Sequence, residues 1–209
     1  MPWSSLESST SAVPAVWRRR IGAQFEVFRT AFLQSRPEPA RFFPCQKCGC
    51  AHEVIVHAPE DIVAVCACEP WNCADLKLTP ADIQILELNW PKLARALCKA
   101  LGLAARSVDF TAPNTRQIGS WSADGVAVIL TIQRDKRDFW AAVAELTARL
   151  RQKFILLAPT SDNFDAACQD LLAHAGAGFF ALDSLVLLTE HGALQPRRPP
   201  GELFRPLPA

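Results

Sequence analysis

The chain has 209 residues, half of them hydrophobic, with 22 basic residues against 21 acidic. The apolar content excludes an extended disordered chain, and the charge balance excludes a global field that would drive the whole molecule onto nucleic acid or anionic lipid. The length suits one large domain or two modest ones. The unusual feature is eight cysteines, six of which (Cys45, Cys48, Cys50, Cys66, Cys68 and Cys73) crowd into one short stretch.

Residues 1–14 are rich in Ser and Pro, carry no signal-peptide pattern, and are predicted to be a disordered tail. The longest apolar runs, Val126–Ile132 and Phe154–Ala158, fall far short of the ~20 residues that cross a bilayer. A soluble, cytoplasmic chain with no membrane partner is expected. In a reducing cytosol, closely spaced cysteines read as metal ligands before they read as disulfides.

An amphipathic helix is predicted over 15–36, because Ile21, Phe25, Phe28 and Phe32 recur at helical steps. Arg18, Arg19 and Arg20 sit near its start, where positive charge opposes the macrodipole. They are either a solvated charge run or the candidate contact to nucleic acid. Arg36-Pro37-Glu38-Pro39 ends the helix and leads as a linker into a cysteine-rich module over 37–78. There, Glu53–Val56 and Ile62–Val65 flank the turn Ala58-Pro59-Glu60-Asp61, which is a hairpin pattern, and Leu76–Leu78 can add a third strand.

A helical connector is predicted over 79–103. Thr79-Pro80-Ala81-Asp82 opens a short helix with Ile83, Leu86 and Leu88 inward. Asn89 caps a second helix from about Trp90 to Leu101, with Leu93, Leu97 and Leu101 in register and Gly102 as terminator. After a loop from 104, an α/β domain is predicted over 115–192. Its elements are strands Gln117–Trp121 and Val126–Gln133 around an Asp124-Gly125 turn, a helix Arg137–Gln152, a strand Phe154–Leu157, a helix Asp162–Ala175 capped by Asp162, and a β-prone run Phe179–Leu188. The order ββαβαβ predicts a sheet covered by helices. Residues 193–209, rich in proline, are predicted to be an unstructured tail. The expected class is α+β.

Cys45-Gln46-Lys47-Cys48-Gly49 places two thiolates across a tight turn, with Gly49 free to adopt positive φ. The second half of a tetrahedral site comes from Cys66-Ala67-Cys68-Glu69-Pro70-Trp71-Asn72-Cys73. Over residues 43–78 the arrangement resembles the zinc-ribbon family, in which a Cys-x-x-Cys-Gly knuckle, a hairpin and a second cysteine pair enclose one zinc ion. The resemblance implies Cys45, Cys48, Cys68 and Cys73 as ligands, with Cys66 in reserve and Cys50, His52 and His57 as further candidates. Four thiolates leave no open coordination position, so one structural zinc is expected. Cys98 and Cys168 fall inside predicted helices as core thiols.

The C-terminal half has no Gly-rich phosphate loop and no Gly-x-Ser-x-Gly elbow. Its element order is similar to the restriction-endonuclease-like fold, which needs an Asp and a Glu-x-Lys pair for metal and charge. The strand following Asp124 ends in Thr131-Ile132-Gln133, so the resemblance implies an inactive relative. Asp124 reads as a turn residue, and Asp135 and Asp138 as part of a helix start. By segment, residues 1–44 hold six basic and three acidic side chains, and residues 45–78 hold two and five. An acidic module argues for protein contacts over direct reading of nucleic acid. The expected function is a zinc-containing binding, regulatory or adaptor protein that contacts a macromolecule. The alternative is a diverged metal-dependent nuclease or other phosphodiester-processing enzyme.

Overall fold

The computed structural model describes residues 2–47, 49–68, 73–122 and 124–204, and its class is α+β. The chain forms two units: Thr10–Asn89, and Met1–Ser9 with Trp90–Ala209.

In the first unit the aromatic stripe is buried as its spacing requires. Phe25, Phe28 and Phe32 face inward from the helix Phe25–Phe32, and Phe28 meets Phe32 edge-on with ring centroids 5.4 Å apart. One helix does not carry the whole stripe. Gly22, at φ +69°, ends the helix Pro14–Ile21, and a 3-10 turn over Gly22–Gln24 leads into the next. This break corrects the single helix predicted over 15–36, and it relocates the arginines. Arg18, Arg19 and Arg20 lie in the last turn of the first helix, where the macrodipole favours positive charge. Trp17 is fully buried and donates its indole N–H to the Leu86 carbonyl at 3.0 Å.

Leu33–Pro39 is a strand where its prolines suggested a linker. It lies at the edge of a three-stranded antiparallel sheet, beside the central Gln84–Leu88, with Ser11–Ala12 on the far side. An edge strand tolerates the missing N–H of proline, because one of its sides has no strand to pair with. The four-stranded antiparallel sheet that follows runs Phe42–Pro44, Ala51–Ala58, Asp61–Val65, Leu76–Leu78 in spatial order. Its enclosed apolar residues are few: Ile62, Ala64 and Leu78, joined by Ile83. The helix after Thr79 starts where predicted, with the Asp82 carboxylate accepting from the Thr79 backbone N–H at 2.8 Å and its hydroxyl at 2.6 Å. It ends at Ile83 because Gln84–Leu88 is taken as a central strand, although Leu86 and Leu88 are buried as their spacing suggested. The stretch 79–103 is thus divided between the two units at Asn89.

The second unit is built on a five-stranded sheet ordered Gly178–Ala181, Phe154–Ala158, Val126–Thr131, Thr115–Trp121, Ala104–Asp109. Its first three strands are parallel and the others antiparallel. The predicted ββαβαβ order is present, preceded by the exposed edge strand Ala104–Asp109 in what read as a loop. Phe154–Ala158 is buried at every position, as a strand covered on both faces must be. Its neighbours Ile129, Phe139, Val143 and Leu146 complete the core with it. Asp165, not Asp162, caps the helix Ala166–His174, accepting from the Cys168 N–H at 3.0 Å. The run Phe179–Leu188 is interrupted by a helical turn, Leu182–Leu185.

At both ends of this unit the described residues form short elements within the stretches predicted as tails. Pro2–Ser8 is a helix that buries Trp3 and Leu6. After the strand Leu194–Pro196 and the helix Pro200–Leu203, Phe204 is buried edge-on to Trp121 and Phe180 at 5.5 and 5.1 Å. Tertiary burial of one or two aromatics orders each short segment, and such segments have no period to read.

The helix Trp90–Leu101 buries Leu93, Leu97 and Leu101, and Gly102 at φ +65° ends it while the Leu103 N–H reaches the Cys98 carbonyl at 2.9 Å. Close approach to the sheet occurs at Gly119, where a Cβ would meet the Ala104 carbonyl oxygen at 2.8 Å and the Cys98 sulfur at 3.2 Å. Gly119→Ala is expected to lower unfolding stability by about 1–3 kcal/mol, the usual cost of overpacking, measured as a shift of the denaturant midpoint with unchanged slope.

Candidate metal centre

The turn between Phe42–Pro44 and Ala51–Ala58 carries the first cysteines, with Phe43 paired to His52 and Pro44 to Ala51. The turn is closed by the Cys45 N–H donating to the Cys50 carbonyl at 2.9 Å and the Gly49 N–H to the Cys45 carbonyl at 3.2 Å. Gly49 adopts φ +72°, and the Lys47 N–H points at the Cys45 sulfur at 3.4 Å. Strand alternation then turns His52 inward. The register pairs Glu53 with Val65, and one further step places Cys66 across from His52.

Cys45, His52 and Cys73 offer ligand atoms that all lie within 4.8 Å of one another. Cys73 Sγ is 3.7 Å from Cys45 Sγ, 3.5 Å from Cys66 Sγ and 3.4 Å from His52 Nε2. With metal–sulfur bonds of about 2.3 Å and metal–nitrogen bonds of about 2.05 Å, a tetrahedron has S···S edges of about 3.8 Å and S···N edges of about 3.5 Å. The Cys73–Cys45 and Cys73–His52 distances match such edges, and Cys45, His52 and Cys73 together could hold a metal ion. Cys45, His52 and Cys66 are buried.

Of the four ligands expected from the sequence, the fold brings Cys45 and Cys73 together and adds His52. Cys68 lies instead against Cys50, donating to its sulfur at 2.7 Å, and also bonds Cys66. Cys48 lies outside the described residues, as do Pro70 and Trp71. His57 is exposed. The signal that singles out His52 is its place on the same strand face as Val54, an alternation that the cysteine spacing overshadows. None of the described cysteines is in a disulfide. The Cys68 thiol is pushed up, first by its hydrogen bond to Cys50 and then by that to Cys66. A bound cation reverses such a shift, because it coordinates the thiolate. Burial raises the thiol of Cys98 and pushes that of Cys168 up to about 11, as core thiols require.

The acids considered for a nuclease do not converge. Asp124 precedes the strand Val126–Thr131 while Asp135 and Asp138 follow it, and six residues at about 3.3 Å each separate the two ends by about 20 Å. Asp135 is a helix cap, accepting from the Asp138 N–H at 2.9 Å. The strand end itself is neutral. Thr115 and Thr131 hydroxyls meet at 2.8 Å, and the Gln133 amide donates to the Pro113 carbonyl at 2.7 Å and to Thr131 at 2.9 Å. Elsewhere in this unit, a groove of about 440 Å³ is lined by Trp90, Cys98, Ile118, Arg95, Arg106 and Arg116. Arg116 stacks on Trp90 at 5.0 Å and pairs with Asp109 at 3.1 Å. In the first unit, Arg18 pairs with Glu26 at 3.4 Å and lies over the Phe25 ring.

Glu7 is a buried acid absent from the sequence reading. Its carboxylate accepts from the Thr160 N–H at 3.0 Å and hydroxyl at 2.8 Å, just beyond the strand Phe154–Ala158. Burial, helped by Asp162 and Asp183, raises its pKa above the ordinary 4.5, against the lowering effect of the Thr160 bonds.

No family model matches the chain, and comparison with curated proteins and with solved structures finds no similar one. Among the described residues no helix is long and apolar enough to cross a membrane.

Two outcomes follow. A raised folded-state pKa means that the folded protein favours protonated Glu7. Its contribution is complete below about pH 4.5 and is lost as pH rises through the raised value. Relative to Glu7→Gln, the wild type should lose stability across that window and run parallel above it, as read from denaturant midpoints against pH. Separately, metal removal by a chelator should abolish hydrogen-exchange protection across Phe42–Leu78 and leave the strands Val126–Thr131 and Phe154–Ala158 protected.

Proposed function

We propose that this chain is a structural-zinc protein whose role is to bind a macromolecule, as a regulatory or adaptor protein, with another protein as the partner. The observation that carries the reading is the convergence of buried Cys45 and His52 with half-buried Cys73, whose ligand atoms all lie within 4.8 Å of one another. Thiolate and imidazole donors at that spacing suit zinc. A fourth side chain on the ion would leave no position for substrate, so the ion would act by holding the fold. The ribbon resemblance of residues 43–78 supports the same assignment.

The partner surface follows from the sheet that this ion would stabilise. Its outer face carries Phe42, 60% exposed, and Ile55, 38% exposed, with Glu53 beside them through the pairing of Phe42 with Glu53. Exposed aromatic and branched side chains rimmed by charge are the composition of a protein interface. The arginines Arg18 to Arg20 are the competing surface for nucleic acid, and Arg18 is already neutralised in part by Glu26.

The test compares three full-length proteins. Wild type, expressed in its own cells with an affinity tag, should co-purify with one protein in stoichiometric amount and contain zinc by elemental analysis. Phe42→Ser with Ile55→Ser should lose that partner and keep the zinc. Arg18→Ala, Arg19→Ala and Arg20→Ala together should leave the complex intact. A salt-sensitive gel shift with nucleic acid that the triple variant abolishes, without any protein partner, would overturn the protein-partner reading.

A further inference from the structure

We propose that the groove between the helix Trp90–Leu101 and the strands Ala104–Asp109 and Thr115–Trp121 binds a small organic anion, a carboxylate joined to a planar apolar body. All of its lining residues belong to the second unit, and none of them takes part in the metal centre.

The helix makes one wall. Leu93, Leu97 and Leu101 are its buried core face, while Trp90, Ala94 and Cys98, at steps of four, form a second stripe along the groove. At Cys98 the helix is in close contact with the sheet: the sulfur donates to the Ile118 carbonyl at 3.1 Å, and a Cβ on Gly119 would meet it at 3.2 Å. Ala94, midway between Cys98 and Trp90, is too short to fill the space beside that contact. An opening of about 440 Å³ remains. Small-molecule sites measure about 300–1,000 Å³, and a folded partner does not enter such a space.

Irregular pairing makes the other wall. Ala105 pairs with Gly119 and Val108 with Gln117, so the strand Ala104–Asp109 carries one residue more than its neighbour between these pairs. The bulge contains Arg106 and Ser107, and both line the groove. It also interrupts the ladder that an added peptide strand would need along this exposed edge, which favours a small ligand over strand addition.

Three arginines reach the groove from three different elements: Arg95 from the helix, Arg106 from the bulge and Arg116 from Thr115–Trp121. No acid among the described residues lines it. Asp109 offsets one positive charge by pairing with Arg116 at 3.1 Å, and the stack of Arg116 on Trp90 at 5.0 Å fixes that guanidinium against the wall. Arg95 reaches back to the Pro91 carbonyl at 3.3 Å. Neither Arg95 nor Arg106 has an ion pair among the described residues. Like charges gathered at one opening repel, and an anion relieves them. A guanidinium presents parallel N–H donors that match the two oxygens of a carboxylate. Trp90, Ala94, Ala105 and Ile118 supply the apolar surface on which the body of the ligand rests.

The test titrates the full-length protein with naphthoate as the probe, beside its neutral amide, which keeps the rings and loses the charge, and inorganic phosphate, which is charge alone. Calorimetry should give one saturable naphthoate site, with the amide and phosphate each weaker by about tenfold or more. The NMR shifts that accompany naphthoate should fall on the Trp90 indole N–H and the backbone amides of 104–107. Arg95→Ala with Arg106→Ala, both exposed in the fold, should weaken naphthoate by about tenfold or more and leave the unfolding midpoint unchanged. Equal affinity for naphthoate and its amide overturns the proposal, because the groove then reads only apolar surface. Phosphate bound as tightly as naphthoate overturns the organic class. Full affinity in the double variant, shifts confined to other residues, or no saturable binding of naphthoate overturns the site itself.

Discussion

The sheet Phe42–Leu78 has to stay ordered around an interior with little hydrocarbon in it. Ile62, Ala64, Leu78 and Ile83 are its buried apolar set, and Phe43, Val54 and Leu76 only partly cover them. Ordering strands of this length costs backbone entropy at every residue, and burial of so few side chains cannot offset it alone. The donors Cys45, His52, Cys66 and Cys73 occupy the end of the sheet where further apolar side chains would otherwise be needed. Cys45 leaves the first strand, His52 lies on the second, Cys66 follows the third, and Cys73 precedes the fourth. An ion on Cys45, His52 and Cys73 would join the first, second and fourth strands at one point, a cross-link no pairwise contact supplies. The turn geometry and the inward histidine bring those donors together.

Local signals decided which parts of the fold were legible in the sequence. The hairpin, the third strand, the Thr79 helix start, the helix Trp90–Leu101 and the ββαβαβ order were all readable, because each has a local signal: alternation, a cap, a period or a turn. The longer helix over 15–36 failed at Gly22, whose positive φ is a tertiary choice. The edge strand Leu33–Pro39 was hidden by prolines that an edge permits. The segments 2–8 and 200–204 are held by Trp3, Leu6 and Phe204, single anchors whose burial depends on the rest of the unit. At the metal centre, spacing identified Cys45 and Cys73. Spacing left Cys66 and Cys68 as alternatives, and both lie beyond the strand end at Val65, where alternation no longer assigns a face. His52 needed the strand register, which sequence spacing does not contain.

Near-neutral net charge conceals a distribution with structural roles. Arg18, Arg19 and Arg20 gain from the C-terminal end of their helix, and Glu26 pairs with both Arg18 and Arg29. Gln34 and Arg36 are similarly engaged with Glu87 across the three-stranded sheet. Exposed pairs of this kind contribute little stability each, but they lower the positive potential that a polyanion would find. A basic segment on paper is thus a weaker electrostatic attractant once folded.

In the five-stranded sheet, the same reasoning separates a polar site from polar packing. Ligands of open α/β sheets gather at the carboxyl ends of parallel strands, and there the chain places Thr131 at the end of one strand with Gln133 just beyond it, and Pro159 and Thr160 after the next. Thr131 is satisfied by Thr115 and Gln133, and Thr160 by the buried carboxylate of Glu7, brought from the N-terminal helix. Each group that would have to release its partner to hold a ligand is buried with that partner, so binding there costs the desolvation and the lost hydrogen bond together. Glu7 exacts a further cost as an acid whose ionised form is disfavoured by its burial. These contacts therefore act as a clasp that holds the N-terminal helix to the sheet end, and the ordering of residues 2–8 follows from satisfying them.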